Sequence, residues 1–251
     1  MPRIHKTILP RIKRILAERG VWRAAWACLS GPWIFLAEYR RARTEFERPV
    51  AQDEFDLFYG VETSKRVHVS DLKINNPNWV HSAGYWPTST EIIKQALSAL
   101  PIRYEDFVFV DFGSGKGRVL LQASDFPFRR IVGVEFCPEL HNIAVGNIAR
   151  YQSHQQKCGE IESVCMDFTQ CEIPREPLVA FLYNPSSETI TAALANRIAH
   201  SLTENPRELW VIYVTPSYNV FECGRPLALH KLKATEKYAI FSNTTKSFAS
   251  L

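Results

Sequence analysis

From residue 88 onward, short apolar runs alternate with longer stretches of helical periodicity. The runs are rich in β-branched and aromatic residues, which predicts strands; they span 107–112, 130–135, 162–165, 178–183 and 209–214. The stretches between them predict helices, which span about 118–124, 138–150 and 187–202. Thr88-Ser-Thr-Glu91 reads as a capping box that opens a further helix ending before Pro101. Strands and helices that alternate in this way predict a parallel sheet covered by helices on both faces.

Residues 1–48 form a separate, basic segment. Their net charge is +7, against +4 for the whole chain, so the remainder is mildly acidic. Ile4, Ile8, Ile12 and Leu16 fall near helical spacing, which predicts a helical extension. Three interpretations stay open: a cap packed on the main domain, a contact with a membrane surface or nucleic acid, and a cleaved targeting peptide.

Composition narrows the class of protein. Of all residues, 46% are hydrophobic and 22% are charged, which is typical of a globular domain. No window offers about 18 uncharged apolar residues, so a membrane-spanning helix is not expected. The six cysteines never form a CxxC pair, which argues against a disulfide scaffold or a zinc site and favours a reducing compartment. We therefore expect a cytoplasmic protein without a metal, with membrane association through residues 1–48 as the alternative.

The most informative segment is the glycine-rich turn DFGSGKGR, from Asp111 to Arg118. A predicted buried strand runs into it and a predicted helix opens from it, so a ligand can lie across the strand end against free helix amides. A phosphate-binding P-loop requires GxxxxGK followed by Ser or Thr, which is absent here. The dinucleotide fingerprint requires GxGxxG, whereas Gly117 comes one residue early.

An acidic residue two positions before GxGxG resembles motif I of class I S-adenosylmethionine (AdoMet) methyltransferases. The resemblance covers roughly residues 85–220, and the GSGKGR turn is similar to that of a poorly characterised bacterial group in this family. It implies a Rossmann-like α/β fold with a mostly parallel, seven-stranded sheet whose last strand, predicted over 237–243, is antiparallel. It also implies two units: the basic helical extension over 1–48 and a methyltransferase domain over 49–251.

The same resemblance implies a set of cofactor-binding residues. Motif I supplies five residues of the strand end and the turn: Asp111, Gly113, Ser114, Gly115 and Gly117. Glu135, which ends the second strand, is expected to bind both ribose hydroxyls. Asp167 is expected to accept a hydrogen bond from the adenine amino group, with Phe168 against the ring. Tyr85 is expected to form a lid.

The end of the fourth predicted strand is where the family presents the acceptor to the methyl group. Tyr183, Asn184 and Pro185 are therefore the candidate catalytic residues, and Asn184 is also a candidate cofactor contact. The run Asn184-Pro-Ser-Ser187 lacks the second proline and the aromatic residue of the amine-methylating branch, so that branch's acceptor specificity is not carried over. The alternative is a strand-ending turn in which Ser186 caps the next helix.

The resemblance implies methyl transfer by in-line displacement to a nitrogen or oxygen of an unidentified protein or small molecule. The alternative is a non-catalytic module that binds AdoMet or a partner. Arg118 is expected to form a structural ion pair. Glu54, Asp56 and Glu62 are either surface acids or lining residues of an acceptor pocket.

Overall fold

Seven strands form one sheet in the computed structural model of this chain, which describes residues 53–72, 84–183, 187–218, 220–221, 227 and 229–244. The strands are β1 (Val108–Phe112), β2 (Arg130–Glu135), β3 (Ile161–Cys165), β4 (Leu178–Tyr183), β5 (Leu209–Val214), β6 (His230–Ala234) and β7 (Tyr238–Ser242). The α-helices are α1 (Glu54–Tyr59), α2 (Thr90–Ser98), α3 (Arg118–Ala123), α4 (Pro138–Arg150) and α5 (Glu188–Glu204). Two 3₁₀ turns span Val69–Asp71 and Tyr104–Asp106. The predicted extension over 1–48 lies outside the described residues.

The strand order is β3-β2-β1-β4-β5-β7-β6. The first five strands in this order are parallel, and β7 pairs antiparallel with both β5 and β6. This is the Rossmann-like, mostly parallel seven-stranded sheet that the resemblance implies, so the predicted fold is confirmed. The chain moves outward from β1 to β3 and then returns to place β4 beside β1. Ligands of open α/β sheets bind where the strand order reverses in this way, at the carboxyl ends of the strands.

Two apolar clusters fill the space between the sheet and its helices. Alternate residues of each strand point to opposite faces, so Val108 and Val110 belong to one cluster and Phe109 to the other. The first cluster includes Leu194 of α5, and the second includes Leu97 of α2. Helices therefore cover both faces, which is why the interior strands β4 and β5 consist of apolar and aromatic residues along their whole length.

The structure corrects two local predictions. The helix after Pro87 begins with Ser89 as its N-cap, and no side chain makes a capping hydrogen bond there, so the capping box at Thr88 is wrong. Glu91 instead accepts a hydrogen bond from the Gln95 side chain, one turn along α2. The N-cap of α5 is Ser187, whose hydroxyl accepts from the Ile190 amide, rather than Ser186.

Two elements carry no strong sequence signal. The helix α1 has only six residues, and its ends are set by the Asp53 side chain and by the left-handed Gly60. The edge strand β6 has the sequence HKLKA and is largely exposed, so it lacks the apolar pattern that predicts a strand. Within the described part of the chain, no helix is long and apolar enough to cross a membrane.

Candidate active site

A cavity of about 300 Å³ opens where the carboxyl ends of β1, β2 and β4 meet. Each of these strands contributes to its wall through its last residues: Asp111 and Phe112, Glu135, and Tyr183. The cavity therefore lies at the reversal of strand order, where the topology favours a ligand site.

The glycine turn between β1 and α3 forms the floor of this cavity. Gly113, Ser114 and Gly115 line it, and Gly117 is the N-cap of α3 in a left-handed conformation. Gly115 also has a positive φ of 53°, and a Cβ there would lie 2.4 Å from two ring carbons of Tyr85. Only glycine fits this position, because a side chain would clash with the tyrosine ring and would be strained at the positive φ.

Glu135 anchors the turn from the neighbouring strand. Its carboxyl group is buried and accepts hydrogen bonds of 2.8 Å from the backbone amides of Gly115 and Cys137. Burial raises the pKa of Glu135 to about 7, although the backbone amides of Cys137, Gly115 and Phe136 act in the opposite direction. The residue thus faces the cavity with a carboxyl group that changes its charge near neutral pH.

Asp111 brings a second carboxyl group to the same wall. It is 3% exposed, and burial together with the nearby Glu135 raises its pKa well above the usual range. Among the described residues of the wall, Arg118 alone is basic. Its guanidinium already contacts Asp53 at 2.5 Å and Thr63 at 2.8 Å, which confirms the predicted ion pair. The cavity is therefore acidic in character.

Aromatic side chains form the part of the wall beyond Glu135. Phe168 lines the cavity and packs edge-on against Phe112, with ring centroids 6.2 Å apart. Phe136 lines it as well. Sequence reasoning missed Phe136, although its position directly after Glu135 and its aromatic character were available signals. Aromatic rings at this position can cover the face of a planar base.

Asp167 lies beside this region but outside the cavity wall. Its Oδ1 accepts from the amide and the hydroxyl of Thr169, at 2.9 and 2.7 Å, and so closes the turn that follows β3. Its assignment to an adenine amino group stays a prediction.

Tyr85 is held over the glycine turn by main-chain and side-chain contacts. Its backbone forms an antiparallel bridge with Val67, and its hydroxyl donates to the carbonyl of Thr63 at 2.6 Å. Its ring lines the cavity directly above Gly115. Contacts within the protein thus hold this residue above the turn.

The acceptor end of the cavity is partly described. Tyr183 lines it as the last residue of β4, and burial raises its pKa while the nearby Arg66 lowers it. Trp86 lies in the same wall, with the Arg66 guanidinium 4.2 Å from its ring centroid. Asn184 and Pro185, predicted as catalytic, lie outside the described residues.

The three acids that were candidates for an acceptor pocket do not line the cavity. Asp56 and Glu62 are absent from the cavity wall and contact basic residues of the glycine turn, Arg118 and Lys116. Glu54 lies in the first turn of α1, also outside the wall. Among described residues, no cluster of three His, Cys, Asp or Glu side chains could hold a metal ion.

Comparison with known proteins gives distant structural likenesses. No protein-family model and no curated protein sequence matches the chain. An RNA methyltransferase from Salinibacter ruber, solved with S-adenosyl-L-homocysteine, is 19% identical, with 62% of this chain and 91% of that one covered and a TM-score of 0.44. A predicted N6-adenine-specific DNA methylase from Listeria monocytogenes is 14% identical, with coverages of 64% and 52% and a TM-score of 0.46.

A putative methyltransferase from Escherichia coli is 16% identical, with 70% of this chain and 96% of that one covered and a TM-score of 0.44. These three proteins carry methyltransferase or methylase names. Because the identities and TM-scores are low, we infer the function of this chain from its own sheet and cavity.

Proposed function

We propose that this chain is an AdoMet-dependent methyltransferase. The observation that carries the proposal is the cavity at the reversal of strand order, with a glycine turn as its floor and two buried carboxyl groups, Asp111 and Glu135, in its wall. The motif resemblance and the sheet order support the same conclusion.

The two buried carboxyl groups of the wall favour AdoMet over the nicotinamide dinucleotides. A buried carboxylate is costly unless a positive charge or hydrogen-bond donors compensate it. Two such groups favour a ligand with cationic and hydroxyl groups, and AdoMet carries an ammonium, a sulfonium and two ribose hydroxyls. A diphosphate would meet the same carboxyl groups with two negative charges, which is unfavourable.

Each candidate residue in or beside the wall has a proposed partner. We assign the ribose hydroxyls to Glu135 and the ammonium group to Asp111. Phe136 and Phe168 cover the adenine ring, and Asp167 accepts from its amino group. Gly113, Ser114, Gly115 and Gly117 let the backbone approach the ligand, and Tyr85 closes the cavity above them.

AdoMet supplies a methyl group that is activated by the positive charge on its sulfur. The chain's own contribution is to hold donor and acceptor in line and to exclude water from between them, which can account for most of the acceleration. The acceptor enters beside Tyr183. We propose that Asn184 accepts a hydrogen bond from the acceptor nitrogen or oxygen and that Pro185 fixes this turn. The methyl–sulfur bond breaks as the methyl–acceptor bond forms, and S-adenosylhomocysteine leaves.

Calorimetric titration with S-adenosylhomocysteine tests the cofactor site. The native protein should bind, and Glu135→Ala should weaken binding by about 1.5–3 kcal/mol, the usual range for hydrogen bonds to a charged group. Glu160→Ala is the control, because Glu160 is an exposed acid outside the cavity wall. Binding of NADH in preference to S-adenosylhomocysteine would contradict the proposal.

Catalysis requires a second experiment. Purified protein is incubated with methyl-labelled AdoMet and a cell extract, and transfer of label to any acceptor is measured with Glu135→Ala as the blank. Cofactor binding without transfer would favour the non-catalytic alternative.

A further inference from the structure

Residues 53–67, which we name the strap, contact both the glycine turn and Tyr85. The strap contains α1, the left-handed Gly60 that ends this helix, and the residues up to Val67. All of its residues are described, and none of them lines the cavity. Its influence on a bound ligand must therefore pass through other residues.

Two basic residues of the glycine turn are tied to the strap. Lys116 is 1% exposed, and its ammonium group donates to Glu62 at 2.7 Å. The buried Arg118 donates to Asp53 and to the hydroxyl of Thr63, at 2.5 and 2.8 Å. Separating a buried cation from its carboxylate partner is costly, because the cation is then left in the interior without a compensating charge. These ion pairs therefore hold the glycine turn against the strap.

A side chain from α4 closes the same arrangement. The amide group of Asn147 donates to the carbonyls of Glu62 and Lys116, both at 2.9 Å, and accepts from the Glu62 amide. Strap and turn are thus joined through a fully buried asparagine as well as directly.

Thr63 is the residue at which these connections meet Tyr85. Its carbonyl accepts from the Tyr85 hydroxyl, while its own hydroxyl accepts from Arg118 and donates to Asp56 at 2.5 Å. Its amide also donates to Asp56, at 2.7 Å. Thr63 is fully buried, and it links the tyrosine above the turn to the arginine that begins α3.

We propose that Thr63 is a positioning residue that sets the distance between the glycine turn and the Tyr85 ring, and through it the affinity for AdoMet. The inference rests on the proposed function, since it concerns the same cavity. A site that is already held in its binding geometry avoids the cost of ordering when the ligand arrives. Thr63 supplies this order without touching the ligand.

The substitution Thr63→Val tests the role, because it replaces the hydroxyl by a methyl group and leaves the carbonyl to Tyr85. We expect affinity for S-adenosylhomocysteine, measured by calorimetry well below Tm, to fall about three- to tenfold, as for one lost hydrogen bond. Thr63→Ser keeps a hydroxyl and should restore affinity to within about twofold of native. A purely structural role would lower Tm in the valine variant without changing affinity.

Matched controls separate positioning from general destabilisation. Thr191→Val removes a buried hydroxyl that donates to the Ser187 carbonyl at 2.8 Å, outside the cavity wall. Tyr104→Phe removes a hydroxyl that donates to the Leu97 carbonyl at 2.7 Å, as Tyr85→Phe does for Thr63. Both controls should lower Tm and leave affinity unchanged. Tyr85→Phe should weaken affinity, so the connection is tested even where Thr63→Val fails to fold.

The double variant Thr63→Val/Tyr85→Phe decides whether the two residues act together. If both substitutions cut one connection, the combined loss of affinity is smaller than the product of the single losses. A combined loss of affinity equal to the product of the two single losses, or native affinity in Thr63→Val, would overturn the inference. Absence of binding by the native protein is a separate result, which removes the proposed function and the inference with it.

Discussion

The ring of Tyr85 lies so close to Gly115 that a Cβ at position 115 would approach two of its ring carbons to 2.4 Å. The two residues are 30 positions apart in sequence, and Tyr85 is held in place from Val67 and Thr63 rather than from the turn itself. The glycine turn and the Tyr85 ring, which form opposite sides of the cavity, are therefore in contact at Gly115. The cavity shape depends on how closely they approach.

Replacing Gly115 by alanine should abolish cofactor binding. The new methyl group must displace the Tyr85 ring, and the positive φ adds about 1–2 kcal/mol of backbone strain. We expect no measurable binding of S-adenosylhomocysteine by calorimetry and a lower Tm. Gly159→Ala is the control, since a Cβ there meets nothing within 4 Å and the backbone needs no left-handed conformation. Native affinity in the Gly115 variant would show that the ring and the turn are not a shared boundary of the site.

The charge of Glu135 should make both stability and affinity depend on pH. Burial raises its pKa from the ordinary 4.5 to about 7, so the folded protein binds more protons than the unfolded chain between these values. Stability of the ligand-free protein should therefore fall as pH rises from about 5 to 8. The contribution of Glu135 to this loss of stability is on the order of 3 kcal/mol, as a pKa of about 7 in place of 4.5 implies.

Affinity should change in the opposite direction. The ionised carboxylate is the better acceptor for ribose hydroxyls, so binding of S-adenosylhomocysteine should weaken as pH falls below about 7. Glu135→Gln should bind weakly at every pH and show a smaller loss of stability between pH 5 and 8. Thermal unfolding and calorimetry across this range measure both effects. An unchanged stability profile in Glu135→Gln would contradict the assignment.

Because the ammonium group of Lys116 is buried, its ion-pair partner Glu62 should contribute to the stability of the fold. Glu62 is half exposed, yet it is the carboxylate that Lys116 contacts at 2.7 Å. Glu62→Ala should lower the free energy of unfolding by about 1–3 kcal/mol, because it leaves a buried charge without its partner. Glu91→Ala, which removes an exposed acid that accepts a hydrogen bond from the Gln95 side chain, should change the free energy of unfolding by less than about 0.5 kcal/mol. Denaturant unfolding compares the two, and equal losses would refute the prediction.

The sequence predicted the elements that are built from long apolar or periodic runs. Strands β2, β4 and β5 and helix α4 match their predicted bounds, since burial on both faces or on one stripe leaves a strong pattern. The edge strand β6 and the six-residue α1 were missed, because exposed or very short elements leave no such pattern. Their positions are set by contacts with distant parts of the chain.

The same division holds in the site. The glycine turn and Glu135 were predicted because backbone geometry and spacing restrict those positions to few residue types. Thr63 and Asn147 were missed, since a polar residue that joins segments 55 or 31 positions apart carries no local signature. Phe136 is the intermediate case, because it directly follows Glu135 in the sequence and that acid marks its position at the end of β2.

Substitution of Asp111 by asparagine should affect binding of the amino-acid part of the cofactor and leave binding of its nucleoside part unchanged. Burial and Glu135 raise the pKa of Asp111, so its ionised form opposes folding, and the neutral variant should be as stable as native or more stable at pH 8. If Asp111 binds the ammonium group, Asp111→Asn should lower the affinity for S-adenosylhomocysteine by about tenfold or more, as for the loss of a hydrogen bond to a charged group. Binding of 5′-methylthioadenosine, which lacks the amino-acid part, should be unchanged. Glu135→Gln should lower the affinity for both ligands, because both carry the ribose. Equal loss of both ligands in Asp111→Asn would place Asp111 against the nucleoside instead, and calorimetry with the two ligands distinguishes these outcomes.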